Sequence, residues 1–237
     1  MRTAFRHAAV IAAFAACLSL DAAAADRRET RPVAGFSAIE LSAPLKLELI
    51  QGDTESLVVE GDERALADLE TVVEKGSLVL RTKARFGLPW NSKVRATVTA
   101  KSIEALAISG SGDIAAQSLR SPSLRIAVSG SGDVRIVALD SSSVEVSVSG
   151  SGDVSIGGKA DGVSTRIAGS GDVKAGKLEA RAAKISIAGS GDTTVWAKES
   201  LAVSIAGSGD VRYYGDPSVK KSIVGSGSVR RLGQSPS

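Results

Sequence analysis

The sequence predicts an all-β fold, a parallel β-helix (solenoid) of 18–20-residue coils with an irregular N-terminal cap. The main observation is the tetrapeptide Gly-Ser-Gly-Asp, which occurs six times, with a seventh copy that ends in Ser. The copies begin at Gly110, Gly130, Gly150, Gly169, Gly189, Gly207 and Gly225. A period of about 20 residues is typical of a solenoid, in which each repeat forms one coil and stacks on its neighbours.

Apolar residues alternate with other residues on both sides of each motif. In one repeat they are Leu124, Ile126 and Val128 before the motif and Val134 and Ile136 after it. This period of two is typical of a strand with one buried face. The position two residues before the motif is aliphatic in every repeat: Ile108, Val128, Val148, Ile167, Ile187, Ile205 and Ile223. The sequence therefore predicts parallel strands whose inward side chains stack into aliphatic ladders.

The motif is predicted to form a structural turn at one corner of each coil. If the alternation continues through it, both glycines face inward, whereas Ser and Asp face outward. Glycine suits a tight corner, and we expect the Asp side chain to fix that corner as an Asx-type turn. The predicted turn residues are Gly110, Gly112, Asp113, Gly130, Gly132, Asp133, Gly150, Gly152, Asp153, Gly169, Gly171, Asp172, Gly189, Gly191, Asp192, Gly207, Gly209 and Asp210.

The column of Asp residues leaves two functional alternatives open. Calcium binds several oxygen ligands, but the repeat is about twice as long as that of the nonapeptide calcium β-rolls. Glycoside hydrolysis needs two carboxyl groups in different environments, whereas a regular repeat makes them alike. We therefore assign the column a structural role and predict no catalytic residue, metal or cofactor.

The chain is expected to have three parts: a signal peptide over 1–25, irregular first coils and a cap over 26–103, and a regular β-helix with a short tail over 104–237. Strand-like segments occur near 36–41, 44–51, 56–60, 77–82 and 93–99. A short helical turn is expected near Glu63–Leu69. An atypical end repeat usually caps a solenoid and blocks its open strand edge. A separate domain in this region is the alternative.

The first 25 residues are predicted to direct export. A basic start, an apolar run and the small residues Ala23–Ala25 are typical of a secretory signal peptide. The apolar run is too short to cross a membrane, so we expect a mature chain that begins at Asp26 and has no transmembrane segment. The expected location is the periplasm or the cell surface. Acylation at Cys17, which would make the protein a lipoprotein, is the alternative.

Composition excludes several kinds of site. His7 is the only histidine and lies in the signal peptide, so the mature chain has no Ser-His-Asp triad and no histidine-ligated metal. The 29 Lys and Arg and 26 Asp and Glu residues give a net charge of +3. These charges are spread along the chain and form no basic stripe, which argues against nucleic acid as a partner.

Three large side chains occupy one offset in consecutive repeats. Trp196, Tyr214 and Leu232 each stand four residues after the last position of a motif, and strand alternation places all three outside. An exposed apolar cluster usually marks an interface. We expect these residues to form a binding surface for a glycan, an envelope protein or a second copy of the chain. The alternative is that the C-terminal segment covers them.

The chain resembles the bacterial GIN-domain family of auto-transporter adhesin heads. The resemblance rests on the repeated Ser-Gly-Ser-Gly-Asp, as at Ser109–Asp113, and on the segments Phe36–Leu41 and Leu45–Gly52. It covers about residues 32–232 and departs at Ser228, where the Asp is lost. It implies a right-handed β-helix similar in shape to pectin lyases, no established catalytic residue and a role in adhesion.

The predicted function is therefore non-enzymatic: an exported β-helix that adheres or binds at the cell envelope. A polysaccharide-acting enzyme is the main alternative, from fold analogy alone. A structural periplasmic module with a protein partner is another. A cluster of unlike titratable groups in one groove would favour the enzyme, and the sequence shows none.

Overall fold

The computed structural model describes residues 27–83 and 94–236. The predicted signal peptide, Cys17 and the expected start at Asp26 lie outside these ranges. The elements are β1 Arg27–Arg31, β2 Ala38–Ser42, β3 Lys46–Gln51, β4 Ser56–Gly61, α1 Glu63–Asp68, β5 Leu69–Glu74, β6 Ser77–Thr82, β7 Arg95–Ala100, β8 Ala105–Gly110, β9 Asp113–Gly130, β10 Val134–Gly150, β11 Val154–Gly169, β12 Val173–Gly189, β13 Thr193–Gly207, β14 Val211–Tyr214, β15 Ser218–Gly225 and β16 Val229–Gly233.

The strands form one continuous sheet that winds into stacked coils. Strands β9 to β13 each extend through most of a coil and pair in parallel with their neighbours. Equivalent residues stay in register, as Val128 does with Val148, and Val148 with Ile167. The predicted all-β solenoid of parallel coils is confirmed, with about 6 turns.

The coils formed by β9 and β10 have three straight sides, as the exposure pattern of β9 shows. Buried and more exposed residues alternate along this strand, but two successive residues are exposed at 117–118 and again at 122–123. Doubled exposure marks a corner, because the chain turns there and the alternation starts again on the next side. The Gly-Ser-Gly motif makes the third corner.

The predicted aliphatic ladders fill the interior of the stack. Leu124, Ile126 and Val128 are each 1% exposed or less. Full burial of one such side chain contributes about 1.5–3 kcal/mol, and every coil repeats the contribution. Because aliphatic side chains of similar size stack on one another in successive coils, the interior stays narrow. This is consistent with an aromatic content of only 3%.

The two glycines of the motif differ, which corrects the expectation that both face inward. The second is buried: a Cβ on Gly152 would meet the carbonyl oxygen of Gly132 and lie 2.8 Å from Val128 Cγ1. The first is partly exposed and has a positive φ, 124° at both Gly130 and Gly150. The corner thus needs one glycine for its backbone conformation and the other for close approach between coils.

The N-terminal coils combine parallel and antiparallel pairing. Strands β2 and β3 pair in parallel with β8 and β9 and so begin the stack. Strand β4 pairs antiparallel with β7, β5 antiparallel with β6, and β1 antiparallel with β4. The expected helical turn is confirmed as α1, which buries Ala65 and Leu66 and whose N-terminus is capped by Asp62. The sequence did not predict β1 and β5, because their pattern of burial does not alternate cleanly.

The last coil carries cations at two positions that point into the interior in earlier coils. Lys221 is in register with the buried Val203, and Arg231 is in register with Tyr213, which packs against the core. Both cations are exposed. Inward-pointing charges at a sheet edge disfavour the addition of another strand. The described chain therefore ends its stack with a polar last coil.

Candidate binding site on the solenoid flank

The Asp residues of the motif form a hydrogen-bonded ladder between coils. The backbone N–H of Asp153 donates to Oδ1 of Asp133 at 2.9 Å, and the N–H of Asp210 donates to Oδ1 of Asp192 at 2.9 Å. Every successive pair repeats this bond, up to the N–H of Ser228. Each carboxylate therefore serves the next coil, which corrects the expectation of an Asx-type turn within its own corner.

The geometry of the corner explains this ladder. The carbonyl oxygen of Gly130 accepts hydrogen bonds from the N–H groups of both Ser151 and Gly152, at 2.8 and 3.1 Å. The Asp133 side chain then supplies the acceptor for the following N–H, that of Asp153. A buried or partly buried amide without an acceptor is costly, and a charged acceptor makes a strong hydrogen bond. The Asp of each motif thus completes the pairing of one coil with the next.

A column of cations, two residues after the Asp, neutralises part of the ladder. Lys174 Nζ lies 2.6 Å from Asp153 Oδ2 and 3.9 Å from Asp172 Oδ2. Arg212 bridges the next two carboxylates in the same way, with Nη2 at 3.1 Å from Asp192 Oδ2. The hydrogen bond to Asp153 raises the pKa of Lys174, so this lysine stays protonated at neutral pH. One cation therefore serves two carboxylates.

Arg135 occupies the same column, in register with Ala115 and Ser155. Its side chain is exposed, and it forms no ion pair within the described ranges, unlike Lys174 and Arg212. Its guanidinium is therefore available to a ligand. Sequence reasoning missed this column, although its signal is a cation two residues after the motif in four of the seven repeats: Arg135, Lys174, Arg212 and Arg230.

Of the predicted binding residues, Trp196 and Tyr214 lie side by side. They are paired in register on β13 and β14, and both are partly buried. The indole N–H of Trp196 is buried without a hydrogen-bond partner among the described residues. Leu232 is 40% exposed and lies at a shift in register, where Gly233 pairs with Tyr214 in its place.

Tyr214 lies at one end of a groove of about 490 Å³ that we call the tyrosine groove. Its ring lies over Gly176, since a Cβ added there would be 3.4 Å from Tyr214 Cε2. Val137, which is 46% exposed, lines the groove nearer the N-terminal coils. The groove is lined by Arg135, Ile136, Val137, Ser155, Ile156, Gly157, Lys174, Gly176, Lys177, Thr194, Tyr214 and Pro236. Two of these residues are glycines, which leave space on the surface because they have no side chain.

The groove is extended at one end and walled at the other. A neighbouring groove of about 330 Å³ shares Arg135 and Val137 with it and reaches Lys46 in the first coils. At the opposite end, the N–H of Gly215 donates to the carbonyl oxygen of Gly233 at 2.9 Å, and Pro236 lines the groove beside Tyr214. The C-terminal tail thus contributes to the wall at the tyrosine end.

A second, larger cleft of about 1210 Å³ follows another corner of the coils. Charges of opposite sign alternate along it, since Asp140 is in register with Arg120 and Lys159, and Lys159 with Glu179. Many of these charges pair with each other, as Arg120 Nε does with Asp140 Oδ2 at 3.2 Å. Exposed pairs contribute at most about 1 kcal/mol each, but their alternation favours the correct register of coils. We therefore interpret this cleft as structural.

Within residues 27–83 and 94–236, no three His, Cys, Asp or Glu side chains are grouped so that they could hold a metal ion. In the same ranges, no helix has both the length and the apolar character needed to cross a bilayer.

Solved structures share this fold. The structure of a Bacteroides fragilis protein described as a "putative adhesin" superposes with a TM-score of 0.84 and 26% identity, over 87% of this chain and 97% of that one. A "putative lipid binding protein" from Parabacteroides distasonis gives a TM-score of 0.71 and 26% identity, over 88% and 97%. A "putative adhesin" from Parabacteroides merdae, at 18% identity and a TM-score of 0.69 over 88% and 96%, is similar in fold.

Sequence comparison gives the family. The chain has no match among curated protein sequences. The family model described as "Putative auto-transporter adhesin, head GIN domain" matches residues 35–217, which include the N-terminal coils and six of the seven motifs. The chain therefore belongs to the GIN-domain family.

Proposed function

We propose that this protein is an exported, non-enzymatic binding protein of the cell envelope, and that the tyrosine groove holds its ligand. The observation that carries the proposal is the position of Tyr214, whose ring lies over Gly176 at the end of an open groove. Aromatic side chains contribute much of the energy of binding sites, and Tyr offers both an apolar face and a hydroxyl group. We assign a glycan as the ligand, because a sugar ring has apolar faces and polar edges that match such a groove.

The shape of the groove supports an extended ligand. Together with the neighbouring groove, it crosses successive coils from Lys46 to Tyr214. Strands in successive coils lie about 4.8 Å apart, so equivalent side chains recur at short, regular steps. A chain of sugars could contact one coil after another along this surface. Trp196 is in register with Tyr214 on the adjacent coil.

The chemistry of the groove favours binding over catalysis. An acid–base mechanism needs titratable groups with unlike environments, such as a pair of carboxyl groups. The described lining of the tyrosine groove has cations but no Asp or Glu, and the carboxylates of the extended surface, Glu48 and Glu60, line only the neighbouring groove. Lys174 is held in its charged form by Asp153, which makes it unsuitable as a general base.

The comparisons support adhesion as the biological role. The family is described as "Putative auto-transporter adhesin, head GIN domain", and the similar B. fragilis protein is described as a "putative adhesin". Export is supported by the same family description and by the signal-peptide pattern of residues 1–25. Mass spectrometry of the protein isolated from its host should find Asp26 at the N-terminus. An acylated Cys17 would instead make it a membrane-anchored lipoprotein.

A glycan array tests the proposed function directly. We expect the purified mature protein to bind a subset of polysaccharides, and the Tyr214→Ala variant with Trp196→Ala to lose that binding. The matched control is Val224→Ala, which removes an apolar side chain that is 72% exposed on β15, outside the groove lining. Its binding should equal that of the wild type. Thermal unfolding of each variant shows whether the fold is retained.

Three outcomes would contradict this function. If no polysaccharide binds, or if binding persists in the double variant, the tyrosine groove is not a glycan site. If the protein shortens a polysaccharide and releases oligosaccharides, it is an enzyme. A double variant that unfolds at a much lower temperature would show that the two rings belong to the core, in which case Tyr214→Phe provides the test of the hydroxyl group alone.

A further inference from the structure

We propose that the tyrosine groove selects an acidic glycan, specifically a chain that contains uronic acids. This inference rests on the proposed function, because the ligand occupies the same groove. It adds the chemical class of the ligand, which we infer from the charged side chains that line the groove.

The groove lining is positively charged. It includes Arg135, Lys174 and Lys177, and among its described residues there is no carboxylate. Lys174 is engaged by the Asp ladder, whereas Arg135 and Lys177 are exposed and form no ion pair with the described residues. Two cations are therefore available to carboxylates of a ligand.

The Asp ladder does not cancel this charge within the groove. Its carboxylates lie outside the groove lining, and Oδ1 of each accepts a hydrogen bond from the next coil. The Oδ2 atoms of Asp153 and Asp172, which flank the groove, are bridged by Lys174. The carboxylates beside Lys174 are therefore already occupied, whereas Asp133, two residues before Arg135, is engaged among the described residues only through Oδ1, which accepts from the N–H of Asp153.

The spacing of the two available cations suits a chain with charges at intervals. Arg135 lies on β10, and Lys177 lies on β12, where it is in register with Gly157 of β11. Two coil steps separate them by about 9.6 Å along the stack. Val137, Gly157 and Gly176 lie in the same lining and present little charge or bulk. A uronic acid chain places single carboxylates on a rigid backbone, whereas a dense polyanion would call for a continuous row of cations.

The backbone of the flank argues against an acidic peptide as the ligand. Strands β10, β11 and β12 are each paired on both sides. Their main-chain groups are therefore used within the stack, and a peptide cannot bind there by adding a strand. The ligand must be recognised through side chains, that is, through the ring of Tyr214 and the cations.

The test compares one polysaccharide with and without its charge. A polyuronate and the same polymer after reduction of its carboxyl groups to alcohols are titrated into the mature protein by calorimetry. We expect the polyuronate to bind roughly tenfold more tightly, and to weaken as salt is added, because two exposed ion pairs contribute on that order. Arg135→Gln with Lys177→Gln should abolish the difference. The matched control is Lys184→Gln with Lys220→Gln, which removes the same charge from β12 and β15 at exposed positions outside the groove.

The outcomes separate this inference from the proposed function. If both polymers bind equally and Tyr214→Ala abolishes the binding, the groove binds glycans but does not select acidic ones, and this inference is wrong. If inorganic polyphosphate or an acidic peptide binds as tightly as the polyuronate, the groove attracts polyanions in general, and the inference is also wrong. If neither polymer binds and the glycan array shows no binding, both the proposed function and this inference are wrong.

Discussion

The backbone N–H of Asp172 donates a hydrogen bond of 3.1 Å to Oδ1 of Asp153, one coil earlier in the stack. The second oxygen of Asp153 lies 2.6 Å from Lys174 Nζ. The two oxygens of one carboxylate thus have separate roles, since one completes the pairing of the backbone and the other receives a counter-charge. Four of the six carboxylates, those of Asp153, Asp172, Asp192 and Asp210, have such a counter-charge, from Lys174 or Arg212.

The ladder predicts that the Asp oxygen matters more for stability than its charge. Asp153→Asn keeps an acceptor for the Asp172 N–H and should lower the free energy of unfolding by less than about 1 kcal/mol. Asp153→Ala leaves that N–H without an acceptor and should cost about 1–3 kcal/mol. Urea denaturation measures both. Equal losses would refute the ladder, and a calcium-dependent melting temperature that Asp153→Asn abolishes would identify a metal site instead.

The second glycine of the motif should tolerate no side chain. In Gly152→Val, the new Cβ meets the Gly132 carbonyl oxygen and Val128 Cγ1, so the coils must separate at this corner. We expect a loss of about 3 kcal/mol, from overpacking rather than from the backbone angles. The matched control is Gly162→Val, because a Cβ at Gly162 has no neighbour within 4 Å. A control as unstable as Gly152→Val would show that steric contact at this corner is not the cause of the loss.

A hydroxyl group in the core should be replaceable with a gain in stability. Thr193 is 1% exposed, its Oγ1 has no hydrogen-bond partner in the described chain, and it is in register with Val173 and Val211. Thr193→Val removes the unpaired polar atom with little change of shape and should stabilise the fold by about 1 kcal/mol. Thermal unfolding measures this gain. Thr194→Val, at the next position on the outer face, should leave the melting temperature unchanged, and a loss in Thr193→Val would point to a partner for its hydroxyl.

Acid should weaken the last step of the ladder. Hydrogen bonds from the Ser228 hydroxyl and backbone N–H hold the pKa of Asp210 below its ordinary value of 3.8. A carboxyl whose pKa is lower in the folded state stabilises the fold above its unfolded pKa and loses that contribution as pH falls through the folded value. The stability gap between wild type and Asp210→Asn should therefore shrink below about pH 4. A gap that is constant from pH 7 to pH 3 would contradict this assignment.

The cations of the last coil should keep the solenoid from extending through a second copy. Lys221→Val with Arg231→Val restores apolar side chains in two interior columns, and we expect concentration-dependent association by sedimentation. The control is Lys220→Val with Arg230→Val, which removes the same charge from the neighbouring positions, in register with the outward-facing Ala202 and Arg212. This control variant should keep the oligomeric state of the wild type. Association of both variants would indicate an effect of net charge alone.

The regular coils could be predicted from local pattern. The recurrence of Gly-Ser-Gly-Asp with aliphatic residues such as Val128 and Val148 at one offset predicts parallel stacking, since each coil must bury the same face against its neighbours. The N-terminal strands β1 and β5 could not be predicted in this way. They pair antiparallel at sheet edges, where burial is partial and the alternation is weak.

The candidate site could not be predicted in full from the sequence, because it depends on distances between coils that a residue's position relative to the motif does not give. Trp196 and Tyr214 share an offset and lie in register, but a shift at Tyr214 displaces Leu232, because bulges change the pairing without changing the motif. The groove itself forms where Gly157 and Gly176 lack side chains beside Tyr214.

By itself, the sequence determined the solenoid, the length of its coils and the identity of its interior columns, because these follow from a periodic pattern of burial. Only the tertiary structure decided what the Asp residues do and which cations remain available. Those properties depend on which atoms meet across coils: Lys174 and Arg135 occupy one column, yet Lys174 lies 2.6 Å from a carboxylate, whereas Arg135 faces the groove.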